Sequence, residues 1–533
     1  MTFITIFISI LLSIVSTAIM SYIAMATPIG PWIAPTLVLF SLLLFRLFYK
    51  KPAQSAIILS VVSGSIGGIV ATACGFSFPT LYFLNPTLFS AWMARPIYFA
   101  SILTGLVLGA GWLGIWIANV TEHKLIVQEK LAFPIGQLIY KMITVQEQVK
   151  KAYELMIGFI GTLIFCLLQD GTRFFAGIIP KTIMLLSSTQ AGVFVIPLIQ
   201  LDVWPLLWAI GFVTGHVIAL PLAVGIVMKI ILINPLHASF FSYLSNVEFS
   251  LAFCSGIVLS GLLNSFMNLP KQLWRIVRKI KNKDMVNRSI IKDCHHTFFY
   301  ILELSAILLF LTIFLHYLQF SLLAQVYLIL FTSIYTYQII SIAGKIGLAL
   351  LGRFATFVMV PAMFLFNLDS VHLVFIATFV EICGGVATDI LFGRKVAQLS
   401  ATNHIQLKRF QYLGLGISAL VVGFIFWLLI NHLTLGSPEL FAQRAQARQL
   451  LIYAKHFDYW ILFIGTLVGF LLKYVKINPM LVLGGLLMPI NFSLGLIAGG
   501  FLARIVPQAE ECYPFWSGVF ASNSLWIVIK TMF

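Results

Sequence analysis

Long apolar runs separated by short polar stretches dominate the chain. A helix needs about 20 mostly apolar residues to cross the hydrocarbon core of a bilayer, and several of the runs are this long while others are shorter or interrupted. The pattern predicts an all-α polytopic integral membrane protein with about 14 to 16 membrane segments. The runs lie near residues 3 to 26, 30 to 48, 54 to 74, 97 to 120, 155 to 169, 205 to 233, 246 to 270, 297 to 317, 320 to 343, 354 to 367, 370 to 390, 411 to 432, 459 to 475, 480 to 505 and 513 to 531.

The strongest polar interruption covers residues 271 to 296. Basic residues favour cytoplasmic loops, so this segment is predicted to be a cytoplasmic linker between an N-terminal half, 1 to 270, and a C-terminal half, 297 to 533. Binding of lipid headgroups by the same segment is the alternative. Its basic residues are Lys271, Arg275, Arg278, Lys279, Lys281, Lys283, Arg288 and Lys292, against Asp284 and Asp293.

A comparison of the chain with itself shows an internal repeat. The segment Phe159 to Leu163 recurs identically as Phe463 to Leu467, and Leu138 to Tyr140 recurs as Leu451 to Tyr453. Further matches keep the same order at offsets of 304 to 317 residues. Repeats of this kind are typical of secondary transporters, and they predict two homologous helical halves with broken and half helices.

Composition narrows the function classes. Of the 533 residues, 60% are apolar and only 9% are charged, which excludes a water-soluble domain. The net charge of +16 fits cytoplasmic loops and requires no nucleic acid. The six cysteines are scattered without paired spacing, so neither disulfides nor a metal site are predicted. The first basic residue is Arg46, so residues 3 to 26 are interpreted as a retained span and not a signal peptide.

A few ionisable residues lie within the apolar runs and are candidates for proton coupling. An acid at membrane depth costs at least a few kcal/mol to insert, and it is therefore a functional candidate by default. The alternatives are an acid at a span end that faces water or pairs with Lys, and a hydrogen-bonded core histidine. The candidates are Glu381, Asp389, Glu303, Glu248 and His216, of which Glu381 lies deepest in its run.

Proline and glycine interrupt several runs. Irregular backbone at membrane depth is tolerated where it is buried or lines a cavity, so such breaks indicate a substrate pathway; ordinary kinks and helix packing are the alternative. The pathway candidates are Phe78, Pro79, Phe133, Pro134, Gly136, Gly384, Gly385, Asn478, Pro479 and Pro489. The sequence contains no Walker-type loop and no HExxH motif, so no nucleotide hydrolysis, cofactor or resident metal is predicted.

Several of these segments together resemble the oligopeptide transporter (OPT) superfamily. Gly75 to Tyr82 resembles an early span of that family, Phe133-Pro134-Ile135-Gly136 its Phe-Pro-x-Gly segment, and Gly384 to Asp389 its Gly and Asp motif. Gly211 to Pro235 is similar to its Gly-rich span that ends in a proline. Asn478 to Arg504 is similar to its closing pattern. The resemblance covers most of the chain.

The resemblance implies proton-coupled import of small peptides by alternating access. Peptide-like metal chelates are the alternative substrate, and a membrane-embedded enzyme acting on a lipid-linked substrate is the alternative from a different class. The expected partners are a peptide substrate, protons and membrane lipid, with a homodimer left open. The expected location is the cytoplasmic membrane of a bacterium.

Two further expectations follow. The breaks at Pro79, at Phe133 to Gly136 and at 479 to 489 are expected to converge on one central cavity. Glu381 is expected to gain and lose the coupling proton, with Asp389 two helical turns away passing it on. Under this hypothesis, Glu381→Gln abolishes pH-driven accumulation and leaves substrate binding or exchange largely intact.

Overall fold

The structure is a computed structural model. It describes residues 3–27, 33–49, 53–131, 133–144, 148–171, 177–186, 189–191, 194–196, 199–246, 248–260, 263, 294–346, 349–366, 368–453, 458–507 and 509–530. The predicted basic linker lies almost entirely outside the described residues.

Helices make up most of the described chain, as predicted. The first half contains α1 (Phe3–Ala26), α2 (Ala34–Phe48), α3 (Gln54–Ser77), α4 (Thr80–Leu84), α5 (Pro86–Met93), α6 (Pro96–Glu122), α7 (Pro134–Thr144), α8 (Gln148–Asp170), α9 (Pro205–Thr214), α10 (His216–Met228), α11 (Asn234–Phe240) and α12 (Glu248–Ser260). The second half contains α13 (Cys294–Tyr317), α14 (Leu322–Ile346), α15 (Leu351–Leu365), α16 (Ser370–Ser400), α17 (His404–His432), α18 (Gln443–Tyr453), α19 (Tyr459–Tyr474), α20 (Pro479–Leu487), α21 (Ile490–Ile505) and α22 (Tyr513–Lys530).

Short strands join α8 to α9, which the all-α prediction did not include. They are β1 (Thr182–Leu186), β2 (Thr189–Ala191), β3 (Phe194–Ile196) and β4 (Ile199–Asp202). β1 pairs antiparallel with β4, and β2 with β3, so that Thr182 lies opposite Asp202 and Thr189 opposite Ile196. β-Branched residues in this segment favour extended backbone.

The prediction of an all-α polytopic membrane protein is confirmed. Among the described residues, 8 helices are long and apolar enough to cross a membrane, and further shorter apolar helices accompany them. Every predicted apolar run contains at least one helix. Where a run is interrupted, as in 205 to 233 and 480 to 505, two consecutive helices replace a single span.

The helices α3 and α16 form the centre of the molecule. Both helices are enclosed by the protein: every residue of α3 from Ile57 to Ser77 is buried, and so is every residue of α16 from Leu373 to Arg394. An apolar helix can also face lipid, so burial on every side means that other helices enclose it. Accordingly α3 packs against α1, α16 and α17, and α16 packs against α6, α14 and α15.

Reciprocal glycine contacts join helices of the two halves. In each of four crossings, a Cβ on either glycine would clash with the carbonyl oxygen of the residue three positions before the other glycine. Because glycine lacks a side chain, the two backbones approach closely. The crossings are Leu155 and Gly158 with Phe515 and Gly518; Phe253 and Gly256 with Leu462 and Gly465; Trp208 and Gly211 with Leu496 and Gly499; and Leu222 and Gly225 with Val482 and Gly485.

These crossings follow what we call an exchange pattern: each of these contacts between a helix of residues 1–270 and a helix of residues 297–533 has a counterpart in which the equivalent helices have exchanged sides. The contact of α8 with α22 has its counterpart in the contact of α19 with α12. The contact of α9 with α21 has its counterpart in the contact of α20 with α10. The central helices repeat the pattern, since α3 packs on α17 and α16 packs on α6. The crossing on α8 corresponds to the crossing on α19 at an offset of 307 residues, one helical turn away from the offset of 304 shown by the repeated pentapeptide.

Candidate functional site

Two serine–carboxyl pairs join α3 to α16. Ser77 Oγ donates to Glu381 Oε2, and Ser65 Oγ donates to Asp389 Oδ2 over 2.6 Å. The position on α3 falls as the position on α16 rises, so the two helices run antiparallel. The carboxyl groups are eight residues apart on α16, which corresponds to about 12 Å along the helix axis.

The pair at Glu381 includes an arginine. Arg448 on α18 donates from Nη2 to Glu381 Oε1 over 2.8 Å and from Nη1 to Ser77 Oγ. Glu381 and Ser77 are 0% exposed, and Arg448 is 8% exposed. Three elements distant in sequence therefore meet in one buried, hydrogen-bonded ion pair.

A second arginine lies beside this ion pair. The guanidinium of Arg444 stacks on the ring of Phe76, with Cζ 3.9 Å from the ring centroid. Arg444 interacts electrostatically with both members of the pair, and it is attracted by Glu381 and repelled by Arg448. A Cβ on Gly352 of α15 would lie 3.4 Å from Glu381 Oε1 and 3.6 Å from Arg444 Nη1, so α15 borders both groups.

The helix break predicted at Phe78-Pro79 lies next to this cluster. Both residues keep right-handed backbone angles, and α4 follows directly at Thr80. The end of α4 contacts α18, where Gln449 Nε2 donates to Phe83 O over 3.1 Å and Tyr453 Oη donates to Leu84 O over 3.0 Å. Phe78 itself is buried among the rings of Phe89, Phe99 and Phe375.

The pair at Asp389 differs in its surroundings. Asp389 is 2% exposed, and Ser65 is the hydrogen-bond partner that the structure gives its carboxyl group. Within the described part of the chain, no Lys, Arg or His forms an ion pair with it. Asp389 is therefore a buried carboxyl group held by a hydroxyl rather than by a cation.

One turn further along α16, Arg394 belongs to a separate network. Its Nη1 donates to Glu122 Oε2 over 2.6 Å, its Nη2 donates to Asn119, and its Nε donates to Gln411 Oε1 over 3.4 Å. His404 lies 2.7 Å from the other oxygen of Glu122. The network joins α16 to α6 and α17, so Arg394 pairs with Glu122 and not with Asp389.

The predicted Phe-Pro-x-Gly segment packs on the same end of α16. Phe133 has a left-handed φ of 47°, and its N–H donates to Gly344 O over 2.8 Å. Its ring packs against Phe392. A Cβ on Gly136 would lie 2.8 Å from Phe392 O, so glycine allows α7, which begins at Pro134, to approach α16 closely.

The other pathway candidates lie on both sides of the cluster. Gly384 and Gly385 accommodate Ile339, Leu351 and Ile69 at the middle of α16. The breaks at Asn478-Pro479 and at Pro489 start α20 and α21, and Gly484 of α20 contacts Gln443 of α18. The helices next to the breaks at 78–79 and 479–489 thus contact α18. Residues 133–136 instead pack against the C-terminal part of α16, near Phe392.

The remaining proton-coupling candidates lie elsewhere. Glu248 is exposed, and it exchanges hydrogen bonds with Ser245 at the start of α12, as in a helix cap. Glu303 is half-buried, and its Oε1 accepts hydrogen bonds from Trp112 Nε1 over 3.2 Å and from Tyr412 Oη. The side chain of His216, the first residue of α10, lies outside the described part of the structure.

Sequence reasoning missed Arg444, Arg448, Ser77 and Ser65. No role was assigned from the sequence to the segment that forms α18 or to its arginines. A signal was present, because two arginines four residues apart share one face of an otherwise uncharged helix. No comparable signal distinguishes Ser65 and Ser77 from the other serines of α1 and α3.

The comparison with known families agrees with this architecture. A family model described as OPT oligopeptide transporter protein matches residues 1–530 of the chain. A search of curated proteins finds no match.

Proposed function

The chain belongs to the oligopeptide transporter family, and we propose that it couples the uptake of small peptides to protons. It is an integral membrane protein and a membrane transporter of oligopeptides or related substrates. The proposal adds the coupling ion, the substrate size and the residue that carries the proton. The family consists of transporters, which argues against the membrane-embedded enzyme.

The observation that carries the proposal is the environment of Asp389. An ionised carboxyl group inside a buried helix is costly unless a cation compensates it, and the hydroxyl of Ser65 supplies only a hydrogen bond. Protonation removes the charge and therefore stabilises the closed packing of α3 against α16. Access of water to Asp389 in another conformation favours ionisation, so that one proton moves per cycle.

Glu381 is less suited to that task in the arrangement described. Its carboxylate is paired with Arg448, and protonation would leave the guanidinium buried without its anion. We therefore propose Asp389 as the proton carrier and Glu381 as the residue that orients Arg448. The hypothesis that Glu381 carries the proton is tested in the same experiment.

The two-half organisation remains part of the proposal. We propose that residues 1–270 and 297–533 are homologous halves joined by the linker 271–296, and that the exchange pattern of the helix crossings reflects this homology. Alternating access is then a movement of one helix group against the other, with the breaks that contact α18 at the centre. The basic linker favours the cytoplasmic side of a cytoplasmic membrane.

The test is uptake into proteoliposomes of alanine peptides of two to six residues, with and without an inward pH gradient. We expect accumulation only with the gradient. Asp389→Asn is expected to reduce gradient-driven accumulation by about tenfold or more while counterflow exchange of the same peptide continues.

The matched control is Asp369→Asn, which changes an exposed aspartate at the start of the same helix. It is expected to behave as wild type. Gradient-driven accumulation by Asp389→Asn at the wild-type rate would reject Asp389 as the proton carrier. Loss of accumulation together with retained exchange in Glu381→Gln alone would assign that role to Glu381.

A further inference from the structure

An apolar groove lies between α8, α9 and α22. Its volume is about 270 Å³, which exceeds the volume of about 150 Å³ in which an engineered apolar cavity binds benzene. Aromatic rings form much of its wall, and Thr162 contributes the one side-chain hydroxyl of the lining. The groove therefore favours a hydrocarbon ligand over a peptide or water, whose polar groups would find few partners there.

The groove opens on the outer face of α8. Gly161, which lines it, is exposed, and so are Ile157, Ile160 and Ile164 on the same helix. This part of α8 is long and apolar enough to cross a membrane, and most of it is not buried. In an integral membrane protein such a face adjoins the acyl chains of the bilayer. These chains are therefore the hydrocarbon that the groove meets.

Gly161 is the residue whose missing side chain leaves the groove open. Among the described residues, a Cβ at Gly161 would meet no neighbouring group within 4 Å. Gly465, its counterpart in the repeated pentapeptide, has the opposite environment, because a Cβ there would lie 2.3 Å from Phe253 O. The crossing of α8 with α22 uses Gly158 instead, about one turn earlier. Glycine weakens a helix, and helix packing does not require it at position 161.

We propose that the groove binds one acyl chain of a membrane phospholipid, which enters beside Gly161 and packs against the rings of Phe165, Trp208 and Trp516. The bound chain adjoins the crossing at Gly158, where α8 meets α22. It fills space at a contact between segments from opposite ends of the sequence, and it is expected to favour their packing. The inference goes beyond the proposed transport of peptides and does not depend on proton coupling.

The experiment uses the purified full chain in detergent and a phosphatidylcholine with brominated acyl chains, because bromine quenches tryptophan fluorescence at short range. Trp208 and Trp516 line the groove, so binding is expected to give quenching that saturates at a low ratio of lipid to protein. Gly161→Leu fills the groove and is expected to raise the lipid ratio at half-saturation by about tenfold or more. Native mass spectrometry is expected to find one retained phospholipid fewer in this variant.

Gly416→Leu is the matched control, because Gly416 on α17 also has open space at its Cβ position and lies outside the groove. It is expected to behave as wild type in both measurements. Trp516→Phe keeps an aromatic wall and provides a second test if Gly161→Leu fails to fold. It is expected to lower the amplitude of the saturable quenching while the lipid ratio at half-saturation changes by less than about twofold.

Quenching of wild type that rises in proportion to the lipid without saturating would show general contact with lipid and overturn the inference. Wild-type half-saturation in Gly161→Leu, or an unchanged amplitude in Trp516→Phe, would place the bound chain elsewhere and reject the groove. A dimeric wild type that Gly161→Leu converts to a monomer would assign the groove to a second copy of the chain. Each of these outcomes leaves the proposed peptide transport standing, since uptake is measured separately.

Discussion

The two serine–carboxyl pairs between α3 and α16 share their helices, their burial and their hydroxyl donor, and they differ in one partner. Glu381 faces Arg448 and belongs to an ion pair, whereas among the described residues the carboxyl group of Asp389 is bound by the hydroxyl of Ser65 and by no cation. This difference supports the proposal that Asp389, and not Glu381, carries the coupling proton. A single cation delivered by α18 makes the difference.

The largest effect on stability is expected from a substitution that breaks the ion pair at Glu381. Glu381→Gln leaves Arg448 buried without its anion, and it is expected to lower the free energy of unfolding by about 3–5 kcal/mol. Titration of the protein with SDS in mixed micelles measures this change. The double variant Glu381→Gln/Arg448→Gln is expected to recover at least half of the loss, since neither charge remains. A single variant as stable as wild type would show that the pair does not stabilise the fold.

Alanine substitutions of the two serines compare how strongly each carboxyl group is held. Ser77→Ala removes a hydroxyl bonded to two charged groups and is expected to cost about 1.5–3 kcal/mol, whereas Ser65→Ala is expected to cost about 0.5–1.5 kcal/mol. Both variants are measured by the same SDS titration. Equal losses would mean that Asp389 is held as strongly as Glu381, and the contrast between the pairs would then be withdrawn.

Asp389→Asn is expected to change the free energy of unfolding by less than about 1 kcal/mol, because the amide still accepts the hydrogen bond of Ser65 and carries no charge. The variant therefore separates coupling from stability, since its transport defect is expected to be large. A loss as large as that of Glu381→Gln would indicate a cation near Asp389 in the folded protein.

A third buried acid, outside the membrane-spanning helices, gives a smaller effect. Burial raises the pKa of Asp202 above its ordinary value, against the opposing hydrogen bonds from Asn491. Its contribution to stability is therefore present below the pKa of the unfolded chain and lost as the pH rises through the folded pKa. The melting temperature of the wild type is expected to fall between pH 4 and pH 8. In Asp202→Asn this fall is expected to be smaller by about 1 °C, as measured by thermal unfolding. An unchanged pH profile would contradict the raised pKa.

The sequence by itself determined which segments are helices in a membrane and where they break. Hydrophobic runs, Pro79, Pro479 and Pro489 act on their immediate neighbours in the chain, so their effect can be predicted from local pattern. The apolar runs around Glu381 and Asp389 favour burial but do not fix it, because Glu248 and Glu303 also lie in apolar runs and are exposed and half-buried.

Only the tertiary structure decided which buried groups meet. Arg448 contacts Glu381 from 67 positions away and Ser77 from 371 positions away, and Ser65 reaches Asp389 across 324 positions. No local pattern encodes such distances. The glycine crossings are decided in the same way, because a glycine such as Gly158 is required by the backbone of a partner helix and not by its own helix. Helix positions therefore follow from local hydrophobicity, whereas the partner of each buried acid depends on the helix packed against it.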